Sequence, residues 1–360
     1  MNIAVIGAGI NGACTAWTLA CAGHRVRLFE RDTAMAHTSR ASTKLLHGGL
    51  RYLENGEFRL VREALSERRA WFAAAPEHAR PLQLTLPIYR SARRPSWLVG
   101  LGLGLYDLLA TGSGLPRHTW QNRESTIGKN PHLKADGLLG SFIFWDGQMD
   151  DLQLGLWVIQ QAQNAGVQVS ENTTIKAVHP SGQVIFADGS STQFDQIVNA
   201  AGPWASELLA ASHIDSMHSL DLVRGSHIVL NRPCPNACLL EVPNERRIFF
   251  TLPWQEQTLV GTTEERQPAP TPATPVAPSA QEIAYLLNAY NHFFSTSVTS
   301  ADITTTFAGL RPLVKSASDP SRATREYAFE RHGKLITIFG GKWTTARALA
   351  RNITKLIPTP

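Results

Sequence analysis

Cysteine is scarce in this chain. Four occur in 360 residues, at 14, 21, 234 and 238, and they match no zinc-site pattern, so no metal is expected. With so few thiols, a reducing compartment is a simpler reading than a disulfide framework. No stretch approaches the roughly 18 apolar residues of a spanning helix, and the opening Met-Asn-Ile-Ala-Val-Ile lacks the charged n-region and cleavage site of a signal peptide. A cytoplasmic protein is therefore expected. Charge is also sparse, at 18% of residues against 43% hydrophobic, which excludes a disordered tail or linker and allows a full core. The net charge of +5 is small and its basic residues scattered, which argues against a nucleic-acid partner and suits an anionic substrate. The most apolar run, Trp97 to Leu109, is punctuated by Gly100, Gly102 and Gly104. It is expected in the core or an interface, with a membrane surface as the second reading.

What is present begins at the first residues. Asn2 to Ile6 is apolar without helical period, as in a parallel strand covered on both faces. Gly7-Ala-Gly9-Ile-Asn11-Gly12 follows, then a helical segment from Ala13 to Ala22, Gly23, and a second strand, Arg25 to Phe29, ending in Glu30 and Arg31. In such a βαβ unit Gly7 makes the tight turn, Gly9 lets the backbone approach a pyrophosphate, and Gly12 lets helix and strand pack closely. The helix N-terminus offers free N–H groups to the phosphates. Glu30, 18 residues beyond Gly12, stands where a carboxylate can accept from an adenosine ribose. The motif itself does not choose between NAD and FAD.

No second glycine fingerprint follows. With one site, either NAD is the cofactor or FAD takes electrons directly from a substrate. After the βαβ unit comes a polar, glycine-punctuated stretch, Ser39-Arg-Ala-Ser42-Thr43-Lys44-Leu-Leu-His47-Gly48-Gly49-Leu-Arg51-Tyr52-Leu-Glu54, where an NAD domain would continue with another α/β repeat. This stretch resembles the signature of FAD-dependent glycerol-3-phosphate dehydrogenases and oxidases, within the D-amino-acid-oxidase-like flavoprotein superfamily. Further blocks resemble the family in order: Phe58-Arg-Leu-Val-Arg-Glu-Ala-Leu, Asn199-Ala-Ala201-Gly202-Pro-Trp204, Arg224-Gly-Ser-His227-Ile-Val, Leu259-Val-Gly-Thr-Thr-Glu264, Gly309-Leu-Arg311-Pro-Leu and Gly340-Gly341-Lys342-Trp-Thr344-Thr345. The similarity runs through essentially the whole chain. Family members usually continue past this last helix into a mostly helical C-terminal domain, whereas this chain stops at Pro360, so no role is carried over from that domain.

The resemblance implies an α/β fold in which a Rossmann-like FAD domain (residues 1–54, 139–215 and 302–360) carries an inserted α+β substrate domain on an antiparallel sheet (55–138 and 216–301). It implies noncovalent FAD held by Gly7, Gly9, Asn11, Gly12, Glu30, Arg31, Ser42, Thr43, Lys44, His47, Gly48, Gly49, Ala177, Ala201, Gly202, Trp204, Gly309, Gly341, Lys342 and Thr344. The implied reaction takes sn-glycerol 3-phosphate to dihydroxyacetone phosphate by hydride transfer from C2 to flavin N5, with a quinone or oxygen as the final acceptor. A peripheral membrane or partner-subunit contact is part of that expectation. The alternatives are an FAD enzyme acting on a hydroxy acid or amino acid, and a flavoprotein without catalysis.

Oxidising a secondary alcohol this way needs a base for the hydroxyl proton and a clamp that holds the substrate in a reactive pose. A phosphate dianion calls for Arg or Lys. The resemblance places Arg51, Tyr52, Arg311 and Arg325 at the substrate, with Arg311 and Lys342 in the catalytic group. His227 joins them as the candidate base because histidine ordinarily titrates near neutrality and it sits in a substrate-domain strand motif, the other reading being a buried, hydrogen-bonded structural histidine. Arg59, Arg62, Arg68 and Arg69 are read as the solvated face of a helix from Glu57 to Ala74, and Trp343, where an aliphatic residue is common, as a packing change.

Elsewhere a helix is expected over Asp151 to Ala165 and short strands at Val167 to Ser170 and Thr173 to Val178. Asp188-Gly189 reads as a hairpin turn between strands Val184 to Ala187 and Thr192 to Asn199. Strands are expected at Val223 to Leu230, Arg247 to Leu252 and Thr258 to Gly261. A proline-rich loop, Gln267 to Pro278, then leads to a helix from Ser279 to Phe294, and the chain closes with a strand, Leu335 to Phe339, and a helix from Trp343 to Leu356.

Overall fold

The computed structural model describes residues 1–242, 245, 247–267, 276–315 and 327–359, apart from the side chain of Arg51. Six strands form one sheet in the order β18 (Tyr327–His332), β19 (Leu335–Gly340), β11 (Gln196–Asn199), β1 (Asn2–Ile6), β2 (Arg25–Phe29) and β7 (Gln168–Ser170). All its pairings are parallel except β18 with β19. The unbroken apolar run of β1 follows from cover on both faces. Ile3 and Val5 join the core under α1 (Ile10–Cys21), α5 (Asp151–Asn164) and α8 (Ala346–Thr354). Ala4 and Ile6 join the opposite core with α6 (Ala205–Ala211) and a three-stranded sheet of β8 (Ile175–Val178), β9 (Gln183–Phe186) and β10 (Ser191–Gln193).

A second sheet of ten strands runs β16 (Glu265–Gln267), β12 (Leu220–Leu230), β15 (Gln257–Gly261), β14 (Ile248–Trp254), β13 (Ala237–Glu241), β4 (Ala79–Tyr89), β6 (Leu138–Met149) and β3 (Leu45–Leu46), with β17 (Ile303–Val314) on β12 and β5 (Thr119–Asn122) on β6. It is antiparallel except where β13 meets β4. Helix α7 (Ala280–Phe293) covers one face, packing Leu286, Tyr290 and Phe293 against Ile228, Leu240, Phe249 and Val260. Helices α2 (Phe58–Ala74) and α3 (Ser96–Leu109) meet each other beside the opposite face, and α4 (Arg123–Lys129) caps β6. The architecture is the expected α/β one, a Rossmann-like unit joined to an antiparallel-sheet unit.

Some elements differ from expectation. The single strand Thr192 to Asn199 divides at Phe194 and Asp195, so that β10 closes the small hairpin while β11 enters the parallel sheet. Residues 138–149 and 303–314, grouped above largely with the cofactor unit, form β6 and β17 of the large sheet. Local pattern signals a strand but not its partner, and β17 is fixed by pairing along nearly all of β12. Most of the proline-rich loop, 268–275, lies outside the described residues. The apolar run around Trp97 is helix α3, and its buried side holds only Leu103 and Tyr106 while Trp97, Leu101 and Leu108 stand about two-thirds exposed at 68%, 65% and 68%.

Candidate active site

The nucleotide end is built by the β1–α1 turn. Gly7 has φ +100°, and its N–H donates to Phe29 O at 2.8 Å. A Cβ on Gly12 would lie 1.8 Å from Gly7 O, so the turn closes only with glycine there. Ala8 N–H donates to Glu30 Oε2 at 2.7 Å and Asp32 N–H to Oε1 at 3.1 Å, which fixes the buried carboxylate at the end of β2. The guanidinium of Arg31 lies 4.0 Å over the Trp204 ring, and His37 packs against the same ring. Ala201 and Gly202 follow β11 beside Gly7. Ala177 sits on β8 in the small sheet. The cradle fits a dinucleotide on the evidence of its own atoms: Asn11 Oδ1 and Trp204 Nε1 are buried without a protein partner among the described residues, and the turn at Gly7 and Gly12 has no room for side chains.

This end is tied to a second glycine turn after β19. Asn11 Nδ2 donates to Gly340 O at 3.2 Å. Ile10 N–H donates to Ser39 Oγ at 2.9 Å, and Trp343 Nε1 donates to Ser39 O at 2.7 Å. Trp343 thus does more than pack, since Ser39 links the start of α1 to the Gly341-Lys342 turn. Trp71 of α2 steadies that turn from behind through Nε1 donation to Thr344 O at 3.1 Å.

Beyond the turn opens a cavity of about 1460 Å³. Its walls bring together Ser42, Thr43, His47, Gly49, Tyr52, His227, Gly309, Arg311, Gly341, Lys342 and Thr344. The β12–β17 register makes part of this arrangement. His227 faces Phe307 and Gly225 faces Gly309, and because side chains alternate along a strand, Arg311 shares the face of His227. A Cβ on Gly225 would lie 2.7 Å from Thr262 Oγ1, so glycine there leaves the Thr262 hydroxyl its place, with Arg311 Nε in ordinary contact distance at 3.4 Å. Arg311 Nη2 donates to Thr263 O at 2.9 Å, and Nη1 lies 3.4 Å from Glu264 Oε1. Lys342 Nζ stands 4.2 Å over the Tyr52 ring, which a short turn starting at the left-handed Gly49 carries.

His227 departs from the expectation of a near-neutral titration. Its ring is buried and stacked on Phe307 at 4.7 Å, with Nε2 3.0 Å from Thr43 Oγ1 and Nδ1 without a partner among the described residues. Burial, reinforced by Lys44 and Arg311, lowers its pKa to about 3 and keeps it uncharged. Lys44 does not line the cavity. It has φ +60°, and its buried ammonium donates to Asp151 Oδ1 at 2.6 Å and Arg40 O at 2.7 Å, while Asp151 Oδ2 accepts from the Ser42 N–H and hydroxyl. Lys44 therefore holds the shape of the Arg40–Lys44 turn. Arg325 and the side chain of Arg51 lie outside the described residues.

A second correction concerns Arg68. Arg59, Arg62 and Arg69 are exposed as expected, but Arg68 is only 1% exposed and donates to Asp146 Oδ1 at 2.6 Å. Tyr106 completes the group: its hydroxyl donates to Asp146 Oδ2 at 3.0 Å and accepts Gly48 N–H at 2.9 Å. These three buried side chains anchor the Gly48 backbone beside the cavity. The signal was in the spacing, for Arg68 stands in the apolar stripe Val61, Leu65, Arg68, Trp71 on the inner face of α2. Asp146, Tyr106 and Trp71 carry no motif that would have found them, and Ser39, though it opens the quoted block, had no role assigned.

The whole arrangement lies within the match to a family model described as DAO, FAD dependent oxidoreductase, which covers residues 2–356. The chain is 37% identical to a glycerol-3-phosphate dehydrogenase of Pseudomonas tolaasii, over 98% of this chain and 70% of the relative. It is 36% identical to an aerobic glycerol-3-phosphate dehydrogenase of Escherichia coli strain K12, over 99% and 73%. The solved structure of the glycerol-3-phosphate dehydrogenase from Bacillus halodurans complexed with FAD matches with a TM-score of 0.78 at 25% identity, over 99% of this chain and 64% of that one. The family match, at nearly full length, agrees with the glycine cradle and with the two-sheet fold: this chain belongs to the FAD dependent oxidoreductase family.

Proposed function

We propose that this chain oxidises sn-glycerol 3-phosphate at C2 to dihydroxyacetone phosphate. The observation that carries the reading is one cavity gathering Arg311 and Lys342, two cations suited to a phosphate, with the neutral imidazole of His227 and the Gly341 turn. Gly7–Gly12, Glu30 and the Gly341 turn would hold FAD, which when bound would supply the hydride acceptor. Arg311 presents a planar fork to the phosphate and Lys342 a point charge. Thr43 Oγ1 lines the cavity 3.0 Å from His227 Nε2, so the hydroxyl proton reaches the imidazole across it. Burial is the main reason the ring resists a proton, and a dianion seated beside Arg311 offsets the smaller contribution of the Lys44 and Arg311 charges. Arg51 and Arg325 belong to the same clamp in this reading.

Anaerobic mixing with racemic glycerol 3-phosphate is expected to bleach the yellow flavin, with lactate and D-amino acids leaving it oxidised. Bleaching by a carboxylate donor instead, or by no donor, would remove the reading.

The acceptor side is read from α3. Leu98, Leu101 and Leu105 line an apolar lobe of the same cavity, and the exposed Trp97, Leu101 and Leu108 follow the exposed basic pair Arg90 and Arg93. An apolar face with a basic approach suits an anionic lipid surface, and the lobe favours a lipid-soluble quinone over oxygen. No described helix is long and apolar enough to cross a membrane, so the contact is peripheral. The protein is expected to float with vesicles containing phosphatidylglycerol, and the double substitution Trp97→Glu, Leu101→Glu to leave it at the bottom of the gradient. Equal flotation of both proteins would discard this surface.

A further inference from the structure

Outside the cavity wall, α7 begins at a buried carboxylate with more partners than a helix start needs. Ser279 and Glu282 form a capping box: Ser279 N–H donates to Glu282 Oε2 at 2.9 Å, and Ser279 Oγ accepts Glu282 N–H at 3.2 Å. That accounts for one side of the group. The other side takes the Ser226 hydroxyl at 2.8 Å and the Thr263 hydroxyl at 2.6 Å, both on Oε1, while Arg224 Nη2 lies 2.6 Å from Oε2. Ser226 N–H in turn donates to Thr263 Oγ1 at 2.9 Å. The carboxylate therefore joins β12 to the segment after β15, and the carbonyl of that same Thr263 receives Arg311 Nη2. The Arg224-Gly225-Ser226-His227 block then has a use at every position. Arg224 and Ser226 face Glu282, while Gly225 and His227 face the cavity.

We infer that Glu282 is a positioning residue for the phosphate clamp, acting on Arg311 through Thr263 and Ser226. The inference rests on reading Arg311 as the substrate's anchor. Burial opposes ionisation of Glu282, but the Ser279 amide, the Thr263 hydroxyl, Arg224 and the Ser226 hydroxyl outweigh it and hold the carboxyl at about 2. The group stays ionised at every working pH, as a fixed acceptor for the two hydroxyls must.

Three variants separate positioning from helix capping. Thr263→Val cuts the link and keeps the carbonyl that Arg311 uses, Glu282→Gln removes the charge, and Ser279→Ala removes the capping hydroxyl with its 3.0 Å bond to Oε2 while leaving the Ser226, Thr263 and Arg224 contacts in place. In the FAD-loaded protein, Thr263→Val and Glu282→Gln are each expected to raise KM for glycerol 3-phosphate about tenfold, the loss of one buried charge-assisted hydrogen bond, while kcat changes less. Amide exchange over 261–266 and 307–313 should quicken in both. Ser279→Ala is expected to lower the unfolding midpoint and quicken exchange in α7 alone, with KM unchanged. Unchanged KM and exchange at 307–313 in Thr263→Val and Glu282→Gln would overturn the inference, as would a KM rise in Ser279→Ala equal to theirs. Should the wild-type flavin fail to bleach with glycerol 3-phosphate, the functional reading falls, and the exchange pattern by itself decides whether Glu282 orders the Arg311 strand.

Discussion

Arg311→Met is expected to lower kcat/KM for glycerol 3-phosphate by about 1000-fold, close to 4 kcal/mol, the scale of two charge-assisted hydrogen bonds lost to a substrate dianion. The loss should fall mainly on KM, because the guanidinium binds the phosphate in ground and transition states alike. FAD content should be retained, since Arg311 stands on β17 of the large sheet, held at Thr263 O and Glu264, and not in the β1–α1 nucleotide turn. Arg311→Lys is expected to recover only a small part of the activity, because an ammonium cannot reproduce the planar fork. Steady-state kinetics with a dye acceptor, beside the flavin absorbance of each preparation, check all four statements. A KM near the wild-type value in Arg311→Met would show that the phosphate sits elsewhere in the cavity.

Gly12→Val should have the largest structural effect of any single change in the cofactor cradle. Even a Cβ at this position would stand 1.8 Å from Gly7 O, and the atom in the way is backbone, so no side-chain rotation relieves the clash. Helix α1 must move off β1, which opens the core in which Ile3, Val5, Ala13 and Ala16 pack. Overpacking of this kind costs about 1–3 kcal/mol, and a cofactor present at 1000 times its Kd withdraws about 4 kcal/mol of further stabilisation when it can no longer bind. The variant is expected to purify colourless, to unfold at a lower temperature, and to gain nothing from added FAD. Wild-type protein stripped of its flavin should recover both colour and midpoint when FAD is restored. A yellow Gly12→Val protein with an unchanged midpoint would contradict the packing described here.

Buried ionic groups mark where reading the chain by motif was least reliable. Arg68 looked like one of four solvated arginines because composition counts charges without direction, yet its position in the stripe of α2 places it against Asp146, and a buried arginine persists only with such a partner. Lys44 stands in a family block, which gives no hint that its ammonium turns inward to Asp151, a residue 107 positions away. His227 was expected to titrate near neutrality because the free side chain does, and burial beside Lys44 and Arg311 removes that behaviour.

The sequence by itself determined those parts of the protein whose physical demand is local. A strand covered on both faces, a turn that admits only glycine at 7 and 12, a carboxylate at the end of the next strand and a helix that starts at Ser279 are each set by backbone geometry within a few residues, and all stand where the pattern put them. Tertiary structure alone decided which strand meets which, and with it the site. The register of β12 on β17 sets His227 and Arg311 on one face, the break at Phe194 sends β11 into the parallel sheet, and the fold brings the carboxylate of α7 to the hydroxyls behind Arg311. Such pairings depend on contacts between segments far apart in the chain, and a side chain's charge, direction and partner follow only when those segments meet.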